Sequence, residues 1–184
     1  MLVFLALWSG QALAAETAGD HTRWSVYFSP HGGCTEAVVE ALGEAKSTVL
    51  VQAYSFTSAP IARALVDSRH RGVRVEVVLD KSQRTEKYSS ATFVYNNGIP
   101  CFIDSQHAIA HNKIIIIDGR TVITGSFNFT KAAEDNNAEN MLVIRDVDLA
   151  AKYTQNWNAH RRHSDVYAGL RRNGALQAPK HRFQ

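Results

Sequence analysis

HNKIIIIDGRTVITGSFNF, residues 111 to 129, reads as two strands folded about a tight turn. Ile114 to Ile117 form the unbroken apolar run of a buried strand. Asp118-Gly119 is a two-residue hairpin turn of type I′, and Thr121 to Thr124 is the returning strand. With that loop, Ile117 faces Arg120, Lys113 faces Thr124 and His111 faces Ser126. Because strand side chains alternate between faces, His111, Lys113, Ser126 and Asn128 are expected to project together from one end of the hairpin. An imidazole, an ammonium, a hydroxyl and an amide gathered in this way make a polar cluster of phosphate size.

Outward from the hairpin, strands and helices alternate. Trp24 to Phe28 alternates as a strand, and Thr35 to Lys46 has helical spacing through Val38, Val39 and Leu42. Thr48 to Phe56 is a second strand; Pro60 opens a helix that runs to about Arg71, where Gly72 closes it. Val73 to Leu79 is a short apolar strand, Glu86 to Tyr95 a weaker helix ending at Asn97-Gly98, and Pro100 to Ile103 another strand. After the hairpin come a helical turn at Lys131 to Asp135, a strand at Glu139 to Ile144 and a helix at Leu149 to His163. This order predicts a layered α/β domain whose central sheet is mixed, since the hairpin has to be antiparallel.

The spacing H-x-K-x4-D-x6-G-S-x-N resembles the signature of the phospholipase D superfamily. More narrowly, the chain is similar to the short bacterial Nuc-type endonucleases. It carries one copy of the motif, continues as FTKAAEDNNAEN through Asn140, and has AYSFT at Ala53 to Thr57. The resemblance spans Trp24 to Trp157 and implies the fold of that family, with a single domain over residues 22–163 and a basic tail over 164–184. It also implies a hydrolase that cleaves phosphodiesters through a phosphohistidine. His111 would attack, Lys113 and Asn128 would hold phosphoryl oxygens, Ser126 would add a hydroxyl, and Glu139 would bind the imidazole Nδ1 and fix its tautomer. Asp118 and Gly125 belong to the same signature. The hairpin register puts Asp118 at the turn, away from the cluster, which favours a structural role over proton transfer.

Phosphodiester chemistry explains why such residues are needed. The substrate repels anionic nucleophiles, and its leaving alkoxide is poor unless protonated, so positive donors, a neutral nucleophile and an acid are all required. In-line displacement puts the leaving oxygen opposite the attacking nitrogen, so one imidazole cannot attack and protonate in the same step. Relatives with two motifs carry the second histidine in one chain; here there is one copy and no internal repeat. A twofold symmetric homodimer, with two copies of His111 facing one phosphorus across the axis, is the economical solution.

The rest of the composition narrows the setting. The 184 residues suit one domain, and 45% apolar content suffices for a packed core. Leu2 to Ala14 is an apolar run too short to span a bilayer, followed by small residues, and reads as a signal peptide over residues 1–15 cleaved near Ala14. Export to the periplasm or medium, with no stable membrane insertion after cleavage, is the expectation. A net charge of +3 suits a polyanionic partner such as nucleic acid without requiring one, and Arg161, Arg162, Arg171, Arg172, Lys180 and Arg182 crowd the last 24 residues. Cys34 and Cys101 leave open a disulfide and two buried free thiols. His107 and His111 stand four apart in extended or irregular backbone without nearby carboxylates, so no metal is expected. Walker-type loops and G-x-S-x-G elbows are absent, and no cofactor is implied. The leading expectation is a metal-independent endonuclease of low sequence specificity, cutting DNA or RNA. A hydrolase of phospholipid head groups and a catalytically silent nucleic-acid-binding module are the alternatives.

Overall fold

The isoleucine run sits at the centre of one mixed sheet. The computed structural model describes residues 22–86 and 89–169. Among these, eight strands lie in the order β1-β7-β6-β5-β2-β3-β4-β8. In chain order they are β1 (Arg23–Ser29), β2 (Thr48–Ala53), β3 (Arg74–Asp80), β4 (Cys101–Asp104), β5 (Lys113–Ile117), β6 (Thr121–Gly125), β7 (Glu139–Arg145) and β8 (Asp165–Val166). β2, β3 and β4 run parallel, and the remaining pairings are antiparallel. Every residue of β5 is buried because layers cover both faces. Ile115 and Ile117 join the core under α1 (Cys34–Glu44), α2 (Ala59–His70) and α3 (Ala91–Asn96), and Ile114 and Ile116 the core under α5 (Val147–His163).

Local signals set the helix limits. The Ser58 side chain accepts the Ile61 N–H at 3.5 Å with Pro60 in the first turn, and Gly72, at φ +90°, follows the end of α2. Asp146 caps α5 by accepting the Leu149 N–H at 2.9 Å. Trp157 then fastens that helix to the sheet, donating its indole N–H to the Val51 carbonyl at 2.9 Å. The helical turn α4 spans Lys131–Asp135.

Four details differ from the sequence expectations. β2 ends at Ala53, and Phe56 instead makes an isolated bridge with Phe129. The weak helix from Glu86 is replaced by a 3₁₀ turn at Lys81–Arg84, capped by Asp80 through the Ser82 N–H at 2.9 Å, and by the short α3. The hairpin loop holds three residues: Asp118 and Gly119 are left-handed, Arg120 N–H closes on the Ile117 carbonyl, and Ile117 pairs with Thr121. The register is therefore one residue away from the Ile117–Arg120 pairing, and Ile114, not Lys113, lies opposite Thr124. Finally, β8 adds to the edge at β4 and Tyr167 is buried, so the domain runs past the boundary drawn at 163. The signal peptide over residues 1–15 and the basic residues Arg171, Arg172, Lys180 and Arg182 lie outside the described residues.

Candidate active site

The reactive side chains gather where the parallel strands end. Lys113 opens β5 beside Ala53, the last residue of β2, and Glu139 opens β7 opposite Ser29, the last of β1. His111, just before β5, is exposed, whereas Lys113 is 6% exposed. The Lys113 ammonium lies 3.1 Å from His111 Nδ1 and donates to the His111 carbonyl at 2.7 Å. Tyr54 packs against the imidazole at a 50° tilt, 4.6 Å between centroids, and Lys113 Nζ sits 5.2 Å from the same phenol ring. Tyr54 is held in place by its own N–H, which donates to the Asn112 carbonyl at 2.9 Å. Burial lowers the Lys113 pKa, and the Glu139 carboxylate opposes that shift. Glu139 is thus close enough to act on the ammonium electrostatically.

Glu139 and His111 are not joined by a hydrogen bond here. His111 Nδ1 faces Lys113, and Glu139 Oε1 accepts from Asn137 Nδ2 at 3.1 Å. With Nδ1 accepting from the ammonium, the ring proton belongs on Nε2, so in this arrangement Nε2 has no lone pair for attack.

The returning chain reaches the site by a different path from simple strand alternation. Ser126 and Phe127 both donate their N–H to the Asn140 carbonyl, at 3.0 and 3.2 Å, so two residues oppose one in a bulge. Phe127 and Phe129 are buried, Ser126 is exposed and Asn128 is half-buried. Ser126 Oγ is engaged with β7, accepting from Asn140 N at 3.1 Å and Asn140 Nδ2 at 3.4 Å. Asn128 Oδ1 is buried without a hydrogen bond, a polar atom still to be satisfied. Gly125 permits the close approach: at φ +148°, a Cβ there would stand 2.3 Å from the Asn140 carbonyl oxygen.

Asp118 is at the far end of β5. Its carboxylate accepts the N–H groups of Lys46, Ser47 and Thr48 and the Ser47 hydroxyl, all at 2.8–2.9 Å, and so ties the α1–β2 connection to the hairpin turn. Both cysteines are free and buried; burial, chiefly, pushes each thiol up to about 12. Arg161 lies over the Phe102 ring and near Glu76, packed against the sheet.

The donors suited to a metal are elsewhere than at His111. His107 joins Asp104, His160 and His163 at the end of β4. His107 therefore does have a carboxylate beside it, Asp104 at 2.9 Å, and sequence reading missed the group because its two halves, Asp104 with His107 and His160 with His163, are remote from each other in the chain. The two signals available were the i, i+3 spacing of His160 and His163 on one helix and the carboxylate ending an apolar strand.

An exposed imidazole backed by a buried ammonium, on a mixed sheet with helices on both faces, defines a phosphodiesterase of the H-x-K class. A family model described as cardiolipin synthase, PLD-like domain, matches residues 38–161. A protein named phospholipase D from Rickettsia typhi is 42% identical over 143 residues, covering 78% of this chain and 70% of that one. Human mitochondrial cardiolipin hydrolase is 34% identical over 118 residues, 64% of this chain and 47% of its own length. Among solved structures, Nuc from Salmonella typhimurium, a phospholipase D family member, superposes with a TM-score of 0.77 at 40% identity over 79% of this chain and 98% of that one. NucT from Helicobacter pylori shares the fold, with a TM-score of 0.72 at 23% identity over 79% and 99% of the two chains. The chain belongs to the phospholipase D superfamily and is a phosphodiester hydrolase.

Proposed function

We propose that this phosphodiesterase is an exported endonuclease of low sequence specificity that needs no metal for its chemistry and works as a homodimer. The observation that carries the reading is the exposed His111 imidazole with the buried Lys113 ammonium 3.1 Å from its Nδ1, so that Nε2 is the nitrogen open to substrate. In the first step His111 Nε2 of one copy attacks phosphorus and the P–O bond to the leaving sugar breaks. The departing oxygen takes a proton from His111 of a second copy. In the second step that same imidazole removes a proton from water, the water oxygen bonds to phosphorus, and the P–N bond breaks. The attacking ring is neutral with its lone pair on Nε2, and the acid is an imidazolium with a proton on each nitrogen. Both therefore carry Nδ1–H, so in each the ammonium would turn to a phosphoryl oxygen and leave Nδ1–H to Glu139. Asn128, with its unsatisfied Oδ1 and its amide group, and Ser126 are assigned to substrate contact beside Lys113.

Similarity to Nuc and a net charge of +3 support nucleic acid as the substrate. A second reading, hydrolysis of phospholipid head groups, is favoured by the names of the Rickettsia relatives and by exposed Ile109, two residues before His111. Incubation with supercoiled plasmid in excess EDTA tests the first reading. Nicked and linear products are expected. Intact plasmid at high enzyme concentration, with choline or phosphatidate released from phosphatidylcholine vesicles, would transfer the assignment to lipid. Sedimentation as a fully active monomer would remove the shared site.

A further inference from the structure

A second polar cluster takes no part in the chemistry above. Asp104 ends β4 with its side chain fully buried, and three imidazoles converge on one of its oxygens, Oδ2. His160 Nδ1 lies at 2.7 Å, His107 Nδ1 at 2.9 Å and His163 Nε2 at 3.3 Å. His160 and His163 occupy the last turn of α5, three residues apart and so on one face, and His107 comes from the loop between β4 and His111. The ring centroids are 4.7–5.4 Å apart, and one nitrogen from each ring lies within 4.8 Å of the others and of the carboxylate.

Ion pairing alone accounts poorly for this arrangement. Three cationic rings around one carboxylate would leave two positive charges uncompensated at close range. Neutral rings can donate a ring N–H to the carboxylate, as His107 and His160 are placed to do, and a ring nitrogen that faces it without a hydrogen bond is free to ligate a cation. His163 Nε2 is such an atom, buried and without a hydrogen bond although it faces Asp104.

We infer that Asp104, His107, His160 and His163 form a binding site for a divalent transition-metal ion of the zinc type. Three imidazole nitrogens and one carboxylate oxygen suit zinc and disfavour magnesium or calcium, which prefer all-oxygen shells. Bonds of about 2.0–2.1 Å set the edges of a tetrahedron at about 3.3–3.4 Å. The nitrogen–oxygen approaches of 2.7–3.3 Å and the 4.8 Å outer limit bracket that edge, so modest side-chain rotation admits the ion. Four protein ligands fill the coordination sphere, which makes the site structural. Its position agrees: three strand spacings separate β4 from β5, so the ion lies about 14 Å along the sheet from Lys113. What it clamps is the approach to His111. The loop after β4 is already fixed by Asp80 Oδ2, which accepts the Ala110 N–H at 2.7 Å, and by Lys81, which donates to the His107 carbonyl at 3.0 Å. The ion would add the end of α5 as a third anchor.

The test uses the purified full chain, stripped with EDTA, freed of chelator and titrated with Zn²⁺ alone, with Co²⁺ as a spectroscopic probe. One equivalent bound per chain, intense visible Co²⁺ bands of a tetrahedral site and a raised unfolding temperature are expected. His107 and His163 side chains are 46% and 26% exposed, so H107A and H163Q leave the core intact. Each should weaken Zn²⁺ binding at least about tenfold, whereas H111A should bind as the unaltered protein does. Phosphodiesterase turnover per folded molecule should be the same in H163Q as in the unaltered chain, which separates this site from the reaction. Uptake well below one equivalent, uptake unchanged in both H107A and H163Q, or uptake lost in H111A would each overturn the assignment.

Discussion

Replacing Asp118 tests whether the aspartate of the H-x-K-x4-D signature is structural. Its carboxylate collects four hydrogen bonds at 2.8–2.9 Å from Lys46, Ser47 and Thr48. The Thr48 bond is partly buried and contributes about 1 kcal/mol, and the three exposed ones, for which water competes, about 0.3 kcal/mol each. Asp118 also has φ +53°, which alanine tolerates worse than aspartate or asparagine by about 1 kcal/mol. Asp118→Ala should therefore lose about 3 kcal/mol and Asp118→Asn about 1 kcal/mol, read from urea unfolding midpoints at constant m-value. Five residues at about 3.4 Å put the carboxylate some 17 Å from Lys113, so turnover per folded molecule should be unchanged in both variants. Burial works to raise the Asp118 carboxyl, but bonds from Thr48, Lys46 and Ser47 hold it below the usual carboxylate range. Its stabilisation is present above the unfolded value near 3.9 and is lost as pH falls through the lower folded value; Asp118→Asn should flatten that acid limb. A variant of normal stability that loses more than about a hundredfold in turnover would refute the structural reading and favour proton transfer, whose loss costs about 10²- to 10⁴-fold.

Three further substitutions address the reactive end. His111→Ala should reduce hydrolysis of a chromogenic phosphodiester by at least about 10⁴-fold with the circular dichroism spectrum unchanged, and a loss below tenfold would exclude the imidazole as nucleophile. Lys113→Met should silence turnover yet raise stability at neutral pH. The folded Lys113 pKa is below the unfolded one, so the native state binds fewer protons between those values and stability rises with pH there; the methionine variant should lack that rise. Gly125→Ala forces a Cβ to 2.3 Å from the Asn140 carbonyl and should cost more than about 3 kcal/mol or prevent folding, whereas a stable, active protein would show that β6 and β7 can separate.

The fold was legible where its causes are local. The isoleucine run, the Asp118-Gly119 turn, Pro60 and Gly72 each carry a short-range signal, and each marks an element boundary within a few residues of its place. Register depended on more. Arg120 enters the loop because its carbonyl is taken by the Asp146 N–H, a contact with the other end of β7, and Ser126 and Phe127 are drawn into a bulge by Asn140. The two-residue strand β8 exists only through β4, its partner. At the site, His111 and Lys113 are near neighbours in sequence and their contact could be anticipated; the orientation of Nδ1 could not, because Lys113 and Glu139 compete for that region. His160 and Asp104 meet across 56 positions, beyond any spacing rule.

Lys113 is rooted in a strand with every residue buried, paired to β2 on one side and followed into β6 on the other. Such a foundation cannot loosen by itself: disturbing the ammonium means tearing the middle of the sheet. On heating, catalytic competence and global order should vanish together, in one transition and not in two.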